Sequence, residues 1–509
     1  MKDLSTTEKK TTGDAEQRAN EQHKKGKLTA RERLDLLLDP GSFSEIGVLV
    51  THRASELGLA EKRYPGDAVV TGSGRIDGRP VMAYSQDFTI LGGTISEVVG
   101  EKIGRIMELA LENRVPVIGI FDSGGARIQE GVEGLAGVGN ILFHNTLLSG
   151  IVPQISIVVG PSAGGSVYGP AITDFIFTVE GITQMYITGP DVIKAVTGEE
   201  ISHQHLGGAE VHARKSGVAH FMCKSEDECF IQVKRLLSYL PQNNQEMPLL
   251  VKTDDPPERT ADVLNEIIPR DARTAYDMKK VIKNIVDNGE FLEVHQEFAP
   301  NIITGFGRFG GRSSGIVAQQ PLSLAGAIDI KASIKAARFV RFCDAFNIPI
   351  VTLVDTPGFL PGIDQEHDGI IKEGAKLIYA YSEATVPKVT FVLRKAYGGA
   401  YIVMSSKHLK SDICYAWPTA EIAVMGAEGA VNIIYRKEIT LSPEPEKTRE
   451  RLIKEYEEKF YNPNRAVERG YIDDIITPSY SRPKIVEALE ILSRKQVSYP
   501  PRKHGNIPL

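Results

Sequence analysis

The 509-residue sequence predicts an α/β protein built from two tandem copies of one fold, and three observations support this prediction. A glycine-centred string recurs about 233 residues later in the chain. The same spacing then persists through the rest of each copy. In both copies, short apolar runs that suit buried strands alternate with helical segments and glycine-marked turns. A spacing shared over such a length indicates internal duplication.

The recurring residues are mostly glycines at turns and strand ends. The string Thr71, Gly72, Gly74, Arg75, Gly78, Arg79 returns as Thr304, Gly305, Gly307, Arg308, Gly311, Arg312. Further along, Gln86, Gly93, Lys102, Asp122 and Gly125 return as Gln319, Gly326, Lys335, Asp355 and Gly358. After one residue of drift, Gly164-Gly165 returns as Gly398-Gly399. Because the copies repeat glycines rather than a catalytic side chain, the pattern points to chemistry performed by backbone amides.

The polar, proline-bearing stretch at 240–273 is the expected linker, with Asp254-Asp255-Pro256-Pro257 near its middle. We therefore divide the chain into an N-terminal domain, residues 1–255, and a C-terminal domain, residues 256–509. Each domain is long enough to enclose its own hydrophobic core.

Composition excludes several function classes. Apolar residues at 42% and charged residues at 24% are ordinary for a globular protein, and a net charge of −6 argues against nucleic-acid binding. No run of 18 apolar residues suggests a membrane span, and the N-terminus lacks a secretory signal. Cys223 and Cys229 have no second pair, and His203 and His205 have no third ligand, so no metal site is expected. The few cysteines suggest a reducing cytoplasm.

Local signals place the elements of the first copy in order. Residues 1 to about 25 are expected to form a solvated helix or a frayed end. Thr29 is the predicted N-cap of the next helix, and Glu32 completes a capping box. Strands are then predicted at 68–72 and 81–85, a helix at 96–113, and strands at 115–121 and 155–159.

The second copy repeats this order. Helices are predicted at 278–286 and 330–346, and strands at 348–354 and 388–393. The strands are apolar throughout rather than alternating, which is typical of a sheet covered on both faces. The succession of strand, glycine turn and helix therefore favours an α/β architecture over a β-sandwich.

Two glycine-marked turns in each copy are the candidate sites of chemistry. The turns are Asp122–Ala126 and Ala163–Ser166 in the first copy, and Asp355–Phe359 and Tyr397–Ala400 in the second. Each turn ends a strand and is expected to open a helix, where backbone N–H groups lack intrahelical acceptors. Glycine lets a ligand approach such amides closely. Directed at a carbonyl oxygen, they form an oxyanion hole.

Two familiar motifs occur in one copy only. Gly160–Gly164 fits the G-x-S-x-G nucleophile elbow, but the matching Arg394–Gly398 contains no serine, which argues against Ser162 as a nucleophile. Gly305–Gly310 fits G-x-G-x-x-G, but the first copy breaks the pattern at Asp77. A strand rather than a helix follows that string, so a dinucleotide site is not expected.

Longer strings identify a family. These strings are Ser85–Thr89, Ser123–Gly131, Gly160–Pro170, Arg394–Tyr401 and Arg502–Leu509. With them, the chain resembles the carboxyltransferase (β) subunits of biotin-dependent acyl-CoA carboxylases, propionyl-CoA carboxylases above all, from about residue 20 to the end. The resemblance implies two crotonase-like (ClpP-like) domains of the ββα-superhelix type. It also implies a hexamer, a trimer of dimers, with active sites between the N-domain of one subunit and the C-domain of another.

The resemblance also assigns roles to the turns. Gly164 and Gly165 are implied to bind the thioester oxygen of acyl-CoA as it becomes an enolate, and Gly399 and Ala400 the ureido oxygen of carboxybiotin. The implied acyl-CoA side further includes Gly92, Gly93, Gly124, Gly125, Ala126, Arg127, Tyr168 and Ile402. The implied biotin side further includes Gly358, Phe359, Leu360, Tyr397 and Gly398. Ile402 stands where many propionyl-type members carry Asp, so the substrate could be propionyl-CoA, acetyl-CoA or several short acyl-CoAs.

The family also implies partners. The sequence contains no Met-Lys-Met carrier signature and, beyond the two copies, no room for an ATP-binding domain. Biotin and activated CO₂ are therefore expected to come from a biotin carboxylase and a biotin carboxyl carrier subunit. Two alternatives stay open. The chain could be the α subunit of a methylmalonyl-CoA or glutaconyl-CoA decarboxylase, which runs the transfer in reverse, or a silent CoA-binding scaffold.

Overall fold

The computed structural model describes residues 16–269, 271 and 274–509, which divide into two compact units between Glu246 and Met247. Each unit contains one mixed β-sheet with helices packed on it. The predicted α/β duplication is thereby confirmed, whereas the functional assignment of domains 1–255 and 256–509 stays a prediction. Residues 16–24 are helical, and the rest of the expected N-terminal helix or frayed end lies outside the described residues.

Strands in the first unit follow a simple order. They are β1 (Ser44–Glu45), β2 (Val69–Ile76), β3 (Arg79–Gln86), β4 (Val117–Ser123), β5 (Gln154–Ala163), β6 (Phe175–Val179), β7 (Gln184–Tyr186) and β8 (Phe221–Cys223). The sheet order is β1-β2-β3-β4-β5-β6-β8, and β7 pairs with the end of β5. Pairing is antiparallel from β1 to β3 and parallel from β3 to β8.

Helices of the first unit connect and cover these strands. They are α1 (Ala30–Leu37), α2 (Glu97–Asn113), α3 (Val132–Leu148), α4 (Tyr168–Ile172), α5 (Pro190–Thr197), α6 (His203–Gly207), α7 (Ala209–Val211) and α8 (Glu226–Leu237). Short 3-10 helices cover Leu91–Gly93, Ile128–Glu130 and Gly164–Val167, and a π-helix covers His212–Ser216. Both predicted capping bonds join Thr29 and Glu32 at the start of α1. Helices α2 and α3 touch at Gly100 and Gly137, where an added Cβ would overlap the facing backbone.

The second unit repeats the sheet. Its strands are β9 (Phe291–Val294), β10 (Ile302–Phe309), β11 (Arg312–Gln319), β12 (Ile350–Thr356), β13 (Lys388–Tyr397), β14 (Ile413–Ala416), β15 (Glu421–Ala423) and β16 (Asp474–Ile475). The sheet order is β16-β14-β13-β12-β11-β10-β9, and β15 pairs with the end of β13. Even the register shift repeats, at Phe121/Ser123 in β4 and at Val354/Thr356 in β12.

Helices of the second unit are more numerous toward the C-terminus. They are α9 (Leu264–Ile267), α10 (Met278–Ile285), α11 (Ile330–Ala345), α12 (Ile363–Asp368), α13 (Ile370–Glu383), α14 (Gly398–Val403), α15 (Ala427–Ile434), α16 (Arg436–Leu441), α17 (Pro445–Phe460), α18 (Asn464–Glu468) and α19 (Ser481–Ile491). Short 3-10 helices cover Asp287–Gly289, Leu324–Gly326, Lys407–Leu409, Pro478–Tyr480 and Leu492–Arg494. Helices α15 to α17 share a small core around Val431, Ile439 and Leu452. No helix among the described residues has the length and apolar character to cross a membrane.

Candidate active site

The Gly164 turn follows β5 directly. Gly164 has φ +60°, a left-handed conformation that disfavours other residues, and opens the 3-10 helix Gly164–Val167. No side chain caps this helix. Its first backbone N–H groups therefore lack both an intrahelical acceptor and a side-chain cap. A Cβ on Gly165 would lie 2.9 Å from Val138 Cγ1 of α3, so this glycine also allows close packing.

The Gly398 turn of the second unit has the same form. Gly398 has φ +58° and opens α14 directly after β13, again without a side-chain cap. Gly399 is exposed, whereas Ala400 is buried. A Cβ on Gly399 would have Phe359 Cε2 as its nearest neighbour, at 3.8 Å, so there is room for a methyl group in the chain itself. The two units thus place the same uncapped turn at the same strand end.

The other two glycine turns are held by the protein's own backbone. In the first unit, the Gly124 N–H donates to Gly92 O at 3.0 Å, and the Arg127 N–H donates to Ile95 O at 2.8 Å. In the second unit, the Leu360 N–H donates to Ile328 O at 2.9 Å. These three amides already have acceptors within the chain, so they are not available to polarise a ligand, and the predicted roles of the Gly124–Arg127 and Gly358–Leu360 turns stay predictions.

Arg127 is committed in the same way. Its guanidinium is 1% exposed and donates to Asp67 Oδ1 at 2.7 Å, to Glu130 Oε1 at 3.1 Å and to Thr94 Oγ1 at 3.1 Å. Such a fully engaged cation fixes the turn that follows β4. Its predicted contribution to acyl-CoA binding therefore rests on the turn that it holds.

Several predicted residues come together within each unit. A Cβ on Gly125 would lie 2.8 Å from Ala163 O, which brings the Gly124–Arg127 turn against the Gly164 turn. Gly93 faces Asp122 O so closely that a Cβ there would overlap it. In the second unit, Phe359 brings its turn to Gly399.

Two predicted residues lie on the helices that leave the donor turns. Tyr168 begins α4 and is 46% exposed, and Ile402 is half-buried on α14, three residues after Gly399. All predicted ligand roles stay predictions.

Asp122 and Asp355 are the second-last residues of strands β4 and β12, beside these turns, and both are buried in ion pairs. Asp122 accepts from Lys27 Nζ at 2.6 Å and from Arg33 Nη1 at 2.9 Å. Asp355 accepts from Arg394 Nε at 3.0 Å. Burial raises the pKa of Asp355, while the Arg394 guanidinium opposes that rise. Both carboxylates hold structure at the strand ends, which suits the sequence-based interpretation that they shape turns rather than move protons.

A second duplicated pair, Lys102 and Lys335, consists of buried lysines. Lys102 Nζ donates to Gly66 O at 2.6 Å and to Val69 O at 2.7 Å. Lys335 Nζ donates to four backbone carbonyls, including Ile302 O at 2.7 Å. Burial lowers the pKa of Lys102 to about 8 and that of Lys335 to about 7. Lys102 thus links helix α2 to the start of β2, and Lys335 links helix α11 to the start of β10.

The discounted motifs gain no support from the geometry. Ser162 Oγ is buried and hydrogen-bonds to no other group among the described residues, so no base activates it. His203 Nδ1 contacts Tyr186 Oη at 2.7 Å, and His205 Nδ1 contacts Ser202 Oγ at 2.9 Å. Within 16–269, 271 and 274–509, no three metal-ligating side chains cluster.

Comparison with known proteins decides the family. The carboxyl transferase domain model matches residues 21–507. The chain is 55% identical over 497 residues to a propionyl-CoA carboxylase carboxyltransferase subunit of Haloferax mediterranei, covering 98% of this chain and 96% of the relative. This protein is a member of the carboxyl transferase family.

Other matches include a decarboxylase subunit and a transcarboxylase. A methylmalonyl-CoA decarboxylase α subunit of Veillonella parvula is 53% identical, covering 98% of this chain and 96% of the relative. The crystal structure of transcarboxylase 12S, a hexamer with methylmalonyl-CoA bound, superposes with a TM-score of 0.96 at 50% identity, covering 99% of this chain and 98% of that one. The predicted resemblance, crotonase-like fold class and enzyme class are confirmed.

Some residues that shape the site were missed by sequence reasoning. Arg33 was not expected to reach a strand end, because the aligned position of the second copy, 248 residues later, is Val281. The recurrence of Lys102 as Lys335 was visible and could have indicated a shared buried role. The contacts among Tyr397, Glu421 and Tyr461 could not be predicted from the repeat, because the first copy has Ala163 at the position of Tyr397.

Proposed function

We propose that the protein transfers carboxylate from carboxybiotin on a partner protein to the α-carbon of a short-chain acyl-CoA. The proposal rests on one observation above all: both units end a central strand in an uncapped glycine turn with a left-handed first residue, Gly164 or Gly398. Membership of the carboxyl transferase family supports it.

The turns supply oxyanion stabilisation. The amides of Gly164 and Gly165 hold the thioester oxygen as the α-proton leaves and negative charge develops on that oxygen. Carboxybiotin, when bound, supplies CO₂ and a ureido anion able to take up that proton. The amides of Gly399 and Ala400 hold the ureido oxygen, an acceptor that fits a pair of N–H donors. Preorganised amides of this kind need no reorganisation as charge appears.

No side chain in the site has to act as a base. Asp122 and Asp355 repeat in both units, but their oxygens accept from Lys27, Arg33 and Arg394. Moreover, both are at most 1% exposed. A carboxylate that is buried and ion-paired in this way does not contact the substrate. The backbone donors therefore carry the electrostatic part of the reaction.

Propionyl-CoA is the substrate that we propose first, with acetyl-CoA as the next. Propionyl-CoA carboxylase subunits are among the relatives at 52–55% identity, and the transcarboxylase 12S crystal contains methylmalonyl-CoA, the product of carboxylating propionyl-CoA. Ile402 should influence this choice from its place on α14. Transfer to acetyl-, propionyl- and butyryl-CoA, compared between the wild type and Ile402→Asp, tests that role, and unchanged selectivity would remove it.

The partners follow from the chemistry. Biotin is carried by a separate biotin carboxyl carrier subunit and carboxylated by a biotin carboxylase, and the chain self-associates, as the hexameric transcarboxylase 12S does. We place the enzyme in the cytoplasm, for which the four free, buried cysteines are the support.

Replacing Gly399 by alanine tests the donor assignment. The added methyl group has room in the chain, 3.8 Å from Phe359, yet stands where a ligand must approach the amides. We expect Gly399→Ala to lower carboxyl transfer from carboxybiotin to propionyl-CoA by about 10²-fold or more. Gly429→Ala is the matched control, because that glycine is exposed on α15 with Met425 Sδ at 3.8 Å.

The control should keep its activity, and both variants should unfold at the wild-type temperature. Wild-type transfer rates in Gly399→Ala would contradict the assignment. Loss of activity in Gly429→Ala as well would show that the effect is not specific to the turn.

The second candidate is the reverse reaction, favoured by the decarboxylase α subunits at 50–53% identity. The same turns would then hold the enolate left by decarboxylation of a carboxyacyl-CoA. Reconstitution with the partner subunits separates the two: ATP-dependent bicarbonate fixation supports carboxylation, whereas sodium-dependent CO₂ release supports decarboxylation.

A further inference from the structure

A chain of contacts, made of hydrogen bonds and one ring stack, lies directly beside the Gly399 turn. The Tyr397 hydroxyl donates to Glu421 Oε2, and the Tyr397 ring stacks on the ring of Tyr461. The Tyr461 hydroxyl accepts from the backbone N–H of Ala427 and donates to Met425 O at 3.5 Å. These contacts link strand β13, strand β15 and the segment α15–α17.

The directions of the hydrogen bonds follow from the available protons. Tyr397 has one hydroxyl proton and gives it to Glu421, whereas Tyr461 gives its proton to Met425 O and accepts from the Ala427 N–H. Burial, followed by the bond to Glu421, raises the pKa of Tyr397, so its hydroxyl keeps its proton at neutral pH.

Ring packing reinforces the same contact. The rings of Tyr397 and Tyr461 stack with centroids 5.3 Å apart and an interplanar angle of 28°. Tyr456 meets Tyr461 edge-on at 6.2 Å and belongs to the small core of α15 to α17. Tyr461 ends α17, while Ala427 begins α15. One hydroxyl thus caps the start of one helix from the end of another.

The position of Tyr397 connects this chain to the donor turn. Tyr397 is the last residue of β13 and directly precedes Gly398, whose left-handed φ starts α14. It pairs with Ala423 of β15, and Glu421 pairs with Lys395 two residues earlier. The peptide that leads into Gly398, Gly399 and Ala400 is therefore held both by the strand and by its own side chain.

The first unit lacks this arrangement. The matching strand end pairs Ala163 with Tyr186 and Pro161 with Gln184. Alanine thus stands at the position of Tyr397, and glutamine at the position of Glu421. The tyrosine of the first unit, Tyr186, lies on the partner strand instead, and its hydroxyl donates to Gln184 Oε1 at 3.4 Å. The first unit therefore has no carboxylate acceptor at this strand end.

We propose that Tyr397, Glu421 and Tyr461 are positioning residues that fix the Gly399–Ala400 donor turn and make its geometry depend on how the α15–α17 segment docks. The activity readout of this inference rests on the proposed function, whereas the exchange readout below does not. None of the three side chains needs to touch a reacting atom for this role.

Removing single hydroxyls tests the proposal. Tyr461→Phe keeps the ring stack and deletes two hydrogen bonds, and Glu421→Gln weakens the acceptor at the end of the chain. We expect each variant to lower kcat for transfer from carboxybiotin to propionyl-CoA by about tenfold and to leave KM for propionyl-CoA within about twofold, since only the ureido-side donors move. Tyr456→Phe is the matched control, because its hydroxyl takes no part in the chain, and it should behave as the wild type.

Hydrogen–deuterium exchange provides a readout without substrate. The amides of residues 402–404 bond to carbonyls of α14 and should exchange several-fold faster in Tyr461→Phe and Glu421→Gln, but not in Tyr456→Phe. Wild-type exchange and kcat in both variants would overturn the proposal. An equal loss in Tyr456→Phe, or a rise in KM for propionyl-CoA, would assign the residues a structural role only. If the wild type transfers no carboxylate, the proposed function fails, while exchange still decides the network.

Discussion

The ends of strands β4 and β12 carry the same carboxylate but neutralise it differently. In the first unit, Asp122 is paired with Arg33 and Lys27, which come from α1 and the segment before it. In the second unit, Asp355 is paired with Arg394, which belongs to the adjacent strand β13.

The residue that permits this difference is a glycine. Gly160 of β5 occupies the position that Arg394 holds in β13, 234 residues later. A Cβ at Gly160 would overlap Asp122 Oδ1 and lie 2.7 Å from Lys27 Nζ. Because Gly160 has no side chain, Lys27 and Arg33 can reach Asp122 from outside the sheet. In the second unit, the side chain of Arg394 occupies the corresponding space and pairs with Asp355. The helix that supplies Arg33 in the first unit correspondingly has the apolar Val281 in the second.

Both units thus keep a buried carboxylate that is paired with a cation, but the paired cation comes from different positions in the two units. A buried carboxylate must be paired, because an unpaired one costs several kcal/mol. The first unit meets this need by fixing its N-terminal segment to the site, and the second meets it within the sheet. The N-terminal segment should therefore matter more to the first turn than any segment outside the sheet does to the second.

Removing Arg33 should destabilise the protein more than any other change considered for these strand ends. Its guanidinium is buried and serves two carboxylates, with Arg33 Nη1 2.9 Å from Asp122 Oδ2 and Arg33 Nε 2.7 Å from Glu226 Oε2. Arg33→Met should lower the free energy of unfolding by about 3–5 kcal/mol, measured by urea denaturation. The control Arg31→Met breaks only an exposed pair with Glu45 and should cost about 1 kcal/mol or less. Equal losses in both variants would contradict the comparison.

Removing Arg394 should have a smaller effect. Asp355 keeps the backbone N–H of Lys395 at 3.1 Å and no second carboxylate loses its partner. We expect Arg394→Met to lower the free energy of unfolding by about 3 kcal/mol. The double variant Arg394→Met/Asp355→Asn should recover part of that loss, because the unpaired charge is gone. A larger loss in Arg394→Met than in Arg33→Met would reverse the ranking of the two units.

The two buried lysines should make the stability of the two units depend differently on pH. An unfolded lysine keeps its proton up to about pH 10.4, whereas burial lowers the pKa of folded Lys335 to about 7. Between these values the unfolded state binds more protons, so the free energy of unfolding should rise with pH. The wild type should gain about 1–3 kcal/mol relative to Lys335→Met between pH 7 and pH 9.5, by urea denaturation at both values.

The same measurement on Lys102→Met distinguishes the units. Its folded pKa of about 8 leaves a narrower window, so the gain should be smaller. Parallel pH curves for the wild type and both variants would show that the four carbonyls around Lys335 keep its ammonium charged, and would remove the pH effect.

The smallest effects should come from the helix caps. Thr29→Ala removes the capping box of α1 and should lower the free energy of unfolding by about 1 kcal/mol. Asp277→Ala, at the matching helix α10, also releases Gln320 Nε2, which donates to Asp277 Oδ1 at 2.7 Å, and should cost up to about 2 kcal/mol. Thermal denaturation ranks the two. A larger shift in Thr29→Ala than in Asp277→Ala would contradict this ranking of the two caps.

Predictions from the sequence succeeded where the signal is local or repeated. The helix predicted at 96–113 lies at Glu97–Asn113 with Ser96 as its cap, and the helix predicted at 330–346 lies at Ile330–Ala345. The strand predicted at 155–159 is longer than expected, at Gln154–Ala163, because pairing with β7 extends it to the turn. Sequence reasoning therefore located the donor turns but not the strand pairs that hold their last residues.

The duplicated α/β framework, the caps and the four glycine turns can all be read from the amino-acid sequence. These features depend on spacing, periodicity and the conformational freedom of glycine at Gly164 and Gly398, all of which are local. Three contacts depend on the packed fold: Arg33 pairs with Asp122, Arg127 pairs with Asp67, and the ring of Tyr461 stacks on that of Tyr397. The sequence separations are 89 residues for Arg33 and Asp122, 60 for Arg127 and Asp67, and 64 for Tyr461 and Tyr397. Packing determines which residues meet in these contacts. Where the two copies have different residues, the contacts of one copy cannot be predicted from the other.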